Sequence, residues 1–175
     1  MESHKGYKIP AGNMIPTLLI GDHIIVNKLA YWNEKPLRGD IVVFKYPKDE
    51  SKDFIKRIIG IEGDKIEIRN DTLYVNEEKI KTEFIAKYND NNISDADRYE
   101  EYFGERKHFI LDQYKMHENF GPVTVPENSI FVLGDNRDNS QDSRYWGFVS
   151  LDKVIGKALY IYWAQDKSRL GLQIQ

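Results

Sequence analysis

The chain has 175 residues, 41% of them apolar, which is enough for one domain with a substantial core or for one domain carrying a sizeable insertion. Lysine and arginine number 25 against 28 aspartates and glutamates, so no basic field exists to gather nucleic acid, and no nucleic-acid partner is expected. The absence of cysteine excludes disulfides, a thiol nucleophile and thiolate metal sites.

Residues 1–6 have too little apolar character for a secretory signal and lead at once into a strand-like segment. No run approaches the ~18 to 20 apolar residues of a membrane-spanning helix. Short β-rich runs then recur at 24–26, 41–44, 54–61, 65–69, 72–75, 129–133 and 157–163, separated by turn residues. This spacing predicts an all-β, mostly antiparallel fold of barrel or sandwich type. Gly21-Asp22 interrupts the apolar pattern and predicts a turn over 18–22. Asn70-Asp71, between two alternating runs, predicts a tight hairpin. From about 82 to 121 the chain turns polar and apolar residues thin out. This stretch is expected to be a small β-rich subdomain inserted into a discontinuous core of 1–81 and 122–175. Gly104-Glu105-Arg106 predicts a second hairpin within it, and Gly121-Pro122 and Pro126 mark the return to the core.

Lys56 carries the first chemical signal. In a strand over 54–61, Phe54, Lys56 and Ile58 share one face and Ile55, Arg57 and Ile59 the other. A lysine with apolar neighbours on both sides is open to desolvation, which disfavours the ammonium and lowers its pKa by as much as ~3 to 5 units in extreme cases. A neutral amine near pH 7 is a general base. An isolated lysine ordinarily snorkels to solvent instead, so the context decides. That context is the loop Gly134-Asp135-Asn136-Arg137-Asp138-Asn139-Ser140, which leaves directly from the apolar run 129–133. Beyond it, Asp142 and Arg144 can pair as carboxylate and guanidinium. Alone, this loop is equally consistent with a solvated turn or a loose calcium site. The fixed glycine and terminal glutamate of an EF-hand are absent, and no metal site is expected.

Taken together, four segments in order resemble bacterial type I signal peptidase. Ile9-Pro10-Ala11-Gly12-Asn13-Met14-Ile15-Pro16-Thr17-Leu18-Leu19-Ile20-Gly21-Asp22 is similar to the family's nucleophile box and Arg38-Gly39-Asp40-Ile41-Val42-Val43-Phe44 to its central strand. Lys56-Arg57 with Gly60 and Gly63-Asp64 is similar to its lysine box, and residues 134–149 to its terminal box. The resemblance spans nearly the whole chain except about 82–121. It implies a serine/lysine endopeptidase that removes signal peptides from secreted preproteins after Ala-X-Ala-like sites, with no metal or organic cofactor. The implied partners are signal peptides and a phospholipid membrane surface, where the apolar side chains of Tyr7, Ile9 and Met14 are expected to face the lipid. The implied location is the outer face of the bacterial cytoplasmic membrane, with membrane helices upstream of this chain.

By the same resemblance, Lys56 is the general base, Ser140 the serine that hydrogen-bonds and orients it, and Asp142 and Arg144 a supporting ion pair. Ile9, Met14, Leu18, Phe54 and Ile55 line the pocket for the residue before the cut, and Tyr7, Ile24 and Val43 the pocket two residues further back. Pro10 adds to this surface. All of these apolar positions serve equally well as ordinary core. Two positions depart from the family. Asn13 stands where the nucleophilic serine belongs, which closes the acyl-enzyme route at its first step. Ala11 stands where many members carry a serine that donates to the oxyanion, a loss of ~10²- to 10³-fold when one such donor is removed. The chain is therefore expected to be inactive, and the intact motifs around Asn13 favour deliberate replacement over natural decay. The alternatives are a natural pseudopeptidase that holds signal peptides without cutting, a self-cleaving regulator of the LexA kind, and a non-enzymatic β module. A LexA-like chain lacks support because no helix-turn-helix pattern precedes the β runs.

Overall fold

Where β-branched and aromatic residues recur with a period of two, the chain extends and pairs with antiparallel neighbours. The computed structural model describes residues 2–175. Its elements begin with β1 (His4–Lys8), β2 (His23–Asn27), β3 (Ile41–Tyr46), β4 (Asp49–Gly60), β5 (Lys65–Arg69), β6 (Thr72–Val75) and β7 (Glu78–Lys79). Next come β8 (Thr82–Tyr88), β9 (Ala96–Phe103), β10 (Arg106–Asp112), β11 (Phe120–Thr124) and β12 (Ser129–Leu133). A single helical turn, α1 (Ser143–Trp146), precedes β13 (Val149–Ser150) and β14 (Val154–Trp163).

The main sheet has the order β1-β2-β14-β3-β4-β12-β13. Instead of a closed barrel, the chain makes several open sheets, because β13 offers only two residues at one edge and β1 ends the other. A four-stranded sheet, β11-β5-β6-β7, contains the first expected hairpin. Asn70 and Asp71 are both left-handed, with φ of 48° and 66°, a conformation these two side chains tolerate, and Arg69 sits opposite Thr72. The central strand β3 is buried on both faces. Val42 and Phe44 pack with Ile58, Ile130, Val132 and Val149, while Ile41 and Val43 pack with Ile9, Met14, Leu18, Ile24 and Ile161. A third cluster, in which Ile59, Phe131 and Leu133 meet Ile66, Ile68, Leu73 and Val75, joins the two sheets. Each such fully buried side chain contributes about 1.5 to 3 kcal/mol.

Segment 82–121 forms a third sheet, β10-β9-β8, with Gly104-Glu105 as the two-residue turn between Phe103 and Arg106. Its inner edge is packed against the core. Ile93, Ala96 and Leu111 cover Ile15, and Arg106 donates to the Arg38 carbonyl at 2.7 Å and to Asp40 at 3.0 Å. Phe120 pairs with Ile68, so β11 rejoins the hairpin sheet across the expected boundary at 121/122.

Candidate active site

Lys56 comes from β4, opposite Val42, on the face that also carries Phe54 and Ile58, as the period-two reading requires. On its other side β12 pairs Leu133 with Arg57, which brings the next residue, Gly134, into line with Lys56. Lys56 is 2% exposed, and the Phe54 ring centroid lies 5.5 Å from its amine. Burial lowers its pKa to about 8; Asp142 and Asp135 pull it up and Arg144 pushes it down, without overcoming the desolvation.

Gly134 is where the two loops meet. A Cβ there would collide with Oγ and Cβ of Ser140 and would lie 2.6 Å from the Asn13 carbonyl oxygen, so only glycine lets both segments approach. The crossing is stitched by the Asn136 amide donating to the Asn13 carbonyl and Asn136 Nδ2 to the Gly12 carbonyl, each at 3.0 Å. Thr17 Oγ1 donates to Asp135 at 2.5 Å. Asn13 and Ser140 thus meet at Gly134, which strand register sets across from Lys56. The Ser140 hydroxyl is buried and makes no hydrogen bond among the described residues, so the expected Ser140–Lys56 bond is not formed; the hydroxyl lies against Gly134 instead. Nor does any described group accept from the Asn13 amide N–H, which leaves that donor open. Asp142 and Arg144 pair through Nε and Nη2, both at 2.9 Å, and Asp142 also accepts from the Gly134 amide at 3.1 Å.

Sequence reasoning gave no role to Arg57 or Asp135. Alternation points Arg57 away from Lys56, where it meets Asp135 through Nε at 2.8 Å and Nη2 at 2.7 Å with both side chains at 0% exposure. Burial pushes the Asp135 carboxyl up, but Arg57 outweighs this and holds it below the ordinary carboxylate range. A third arginine, Arg137, is held by Glu101 of the inserted sheet, and nothing in the pattern of 96–103 marks Glu101 as buried.

Of the apolar residues expected to line a pocket, Ile9, Met14, Leu18, Ile24 and Val43 come together in one buried cluster, with Tyr7 and Ile55 at its border. Phe54 does not join them. It is adjacent to Ile55 in the strand and so points to the opposite face, where it stacks on Tyr46 at 4.3 Å and meets Trp146. Pro10 and Ala11 are exposed. Ile9 and Met14, at 3% and 1% exposure, offer no surface to a lipid. Ile20, 45% exposed, is the exposed apolar side chain of this segment; Tyr162, Trp163, Leu170 and Leu172 near the C-terminus are exposed as well, and the Lys167 amine sits 4.4 Å from the Trp163 ring centroid. Arg169 ties this patch to the segment that follows Asn13 by donating to the Thr17 carbonyl at 3.1 Å and to Asp22 at 2.6 Å. Among the described residues no helix is long and apolar enough to cross a membrane, and no group of His, Cys, Asp and Glu is arranged to hold a metal ion.

Residues 3–163 match the family model described as signal peptidase, peptidase S26. Signal peptidase I of Buchnera aphidicola (subspecies Acyrthosiphon pisum) is 36% identical over 94% of this chain and 70% of its own length. That of Aquifex aeolicus is 36% identical over 91% of this chain and 76% of its own, and that of Bacillus caldolyticus 37% over 90% and 78%.

Proposed function

The chain belongs to the signal peptidase I family of peptidase S26, and we propose that it carries that family's serine/lysine site with the nucleophile position taken by Asn13. The observation that carries this reading is a lysine with a pKa of about 8, buried beside the glycine at which the Asn13 and Ser140 segments cross. With serine at position 13, the neutral Lys56 amine takes the hydroxyl proton as the oxygen attacks the scissile carbonyl. The open amide N–H of residue 13 donates to the developing oxyanion. The Lys56 ammonium then protonates the departing amine, and a water deprotonated by Lys56 releases the acyl group. Asparagine supplies no hydroxyl, so the scaffold is complete and the first step has no nucleophile.

The substrates are signal peptides of secreted preproteins, cut after small residues in an Ala-X-Ala-like pattern. On this reading the side chains before the cut would be selected beside the buried cluster of Ile9, Met14, Leu18 and Ile24. The protein works on the extracytoplasmic face of the cytoplasmic membrane. Support for the lipid contact comes from Trp163, 44% exposed with a lysine over its ring, next to the nucleophile segment. The test is cleavage of a preprotein whose signal ends in Ala-X-Ala. The Asn13 protein should give no product, Asn13→Ser should restore cleavage, and Lys56→Ala in that background should abolish it. Cleavage by the Asn13 protein that survives Lys56→Ala, or a folded and inactive Asn13→Ser protein, would sink the reading.

A further inference from the structure

The inserted sheet sends a buried carboxylate toward the loop that carries Ser140. Glu101 in β9 is 1% exposed, and its cross-strand partner His108 in β10 places Nε2 at 2.8 Å from Oε1. Burial pushes the Glu101 carboxyl up, yet Arg137 and His108 hold it well below the ordinary range, so it is an anion. Burial and the nearby Arg57 push His108 down, so its ring is neutral and Nε2–H donates to Glu101. Arg137 grips Glu101 with both Nη atoms, at 2.9 and 2.6 Å, while its Nε donates to the Gly134 carbonyl at 3.1 Å. The Arg137 carbonyl in turn accepts from Arg144 at 2.7 Å. Backbone groups of the insertion hold the rest of the loop. The Leu111 amide donates to the Asp135 carbonyl at 2.9 Å, and those of Gln113 and Tyr114 donate to the Asp138 carboxylate at 2.7 and 2.8 Å.

We propose that Glu101 is a positioning residue supplied by the insertion: it fixes Arg137, Arg137 fixes the Gly134 carbonyl, and the loop so held keeps Ser140 and residue 13 in register with Lys56. This role rests on the peptidase reading above. A buried ion pair adds little net stability compared with apolar packing, so stability alone does not account for a carboxylate at this position. A fixed two-point grip at the base of the loop does.

The experiment uses the Asn13→Ser protein. Glu101→Gln keeps the shape and removes the charge; kcat should fall about 10- to 100-fold with KM changed less than about twofold, the signature of misplaced groups rather than lost binding. The limb of the pH–rate profile that reports Lys56, which feels the charges of Asp142, Arg144 and Asp135, should rise by about half a unit or more as the loop loosens and water reaches the amine. Arg137→Lys should give the same signature, and the double variant should be no worse than the weaker single one, because both act through one contact. The exposed Glu105→Gln, in the same hairpin, should change nothing. If Glu101→Gln does not fold, Glu101→Asp, which keeps the charge and shortens the reach, should show the same changes at smaller size. A folded variant of either kind with unchanged kcat and an unmoved limb overturns the positioning role alone. Failure of both to fold makes Glu101 purely structural and overturns it too, while an inactive Asn13→Ser protein with Glu101 intact overturns the peptidase reading and this role with it.

Discussion

Lys56→Met, made in the chain as it stands, measures what the buried base costs the fold. The amine titrates near 8 rather than at its ordinary 10.5, a depression of about 2.5 units. At about 1.4 kcal/mol per unit this is about 3 kcal/mol of differential stability. The native state binds the Lys56 proton more weakly than the unfolded chain does. Below pH 8 both states are protonated and the full cost of the buried ammonium is felt. Between pH 8 and 10.5 the unfolded chain retains a proton that the native protein has lost, so stability rises with pH, by about 1.4 kcal/mol per unit. Methionine has similar length and no charge. Its removal of the amine strands neither nearby carboxylate, since Asp142 keeps Arg144 and Asp135 keeps Arg57. The variant should therefore be about 3 kcal/mol more stable than the parent at pH 7, with the gain fading to near zero above pH 10.5. Urea unfolding of both proteins at intervals from pH 6 to 10.5 gives the difference curve, in which all other titrations cancel. A difference that is flat in pH, or a methionine variant less stable at pH 7, would show that Lys56 is not a desolvated ammonium.

The same amine sets the activity profile of the Asn13→Ser protein: kcat/KM should be about one tenth of its plateau at pH 7 and half at pH 8, and a midpoint near 10.5 would remove Lys56 as the base. Gly134→Ala forces a methyl group against Ser140 and the Asn13 carbonyl; it should cost about 1 to 3 kcal/mol in thermal unfolding and impair the serine-restored enzyme, whereas an unchanged melting temperature would contradict the close crossing. Asp135→Ala leaves Arg57 buried without its carboxylate and should cost about 3 to 5 kcal/mol, while pairing it with Arg57→Met should recover much of the loss. Additive losses in the double variant would mean that the pair is not coupled.

Strand positions in the core were legible because β-branched runs there alternate between turns: 65–69, 72–75 and 129–133 coincide with β5, β6 and β12, and Asn70-Asp71 turns as its chemistry requires. The face of Lys56 followed from the same period. The inserted sheet was harder to place because its inward positions are filled by Asp97, Glu101 and His108, charged or titratable side chains that a hydropathy pattern assigns to solvent. Only the three-dimensional meeting with Arg137 makes Glu101, with His108 behind it, an interior residue, while Asp97 is covered by Lys87 and Lys115. Phe54 and Ile55, which the family resemblance puts in one pocket, border different clusters because consecutive strand residues point to opposite sides. Sheet closure was not legible either, because it depends on β13 being too short to offer an edge, a matter of pairing rather than of composition.

The contacts that locate residue 13 belong to its main chain. Its carbonyl accepts from Asn136 and presses on Gly134, and the preceding carbonyl of Gly12 is held by the Asn136 side chain. None of these contacts depends on whether the side chain is an amide or a hydroxyl. The position of Lys56 depends on strand register and on the terminal loop, and its low pKa depends on burial; neither draws on the residue 13 side chain. On the serine/lysine reading proposed above, Lys56 therefore stays desolvated whichever residue stands at position 13, and Asn13→Ser is expected to be sufficient for turnover.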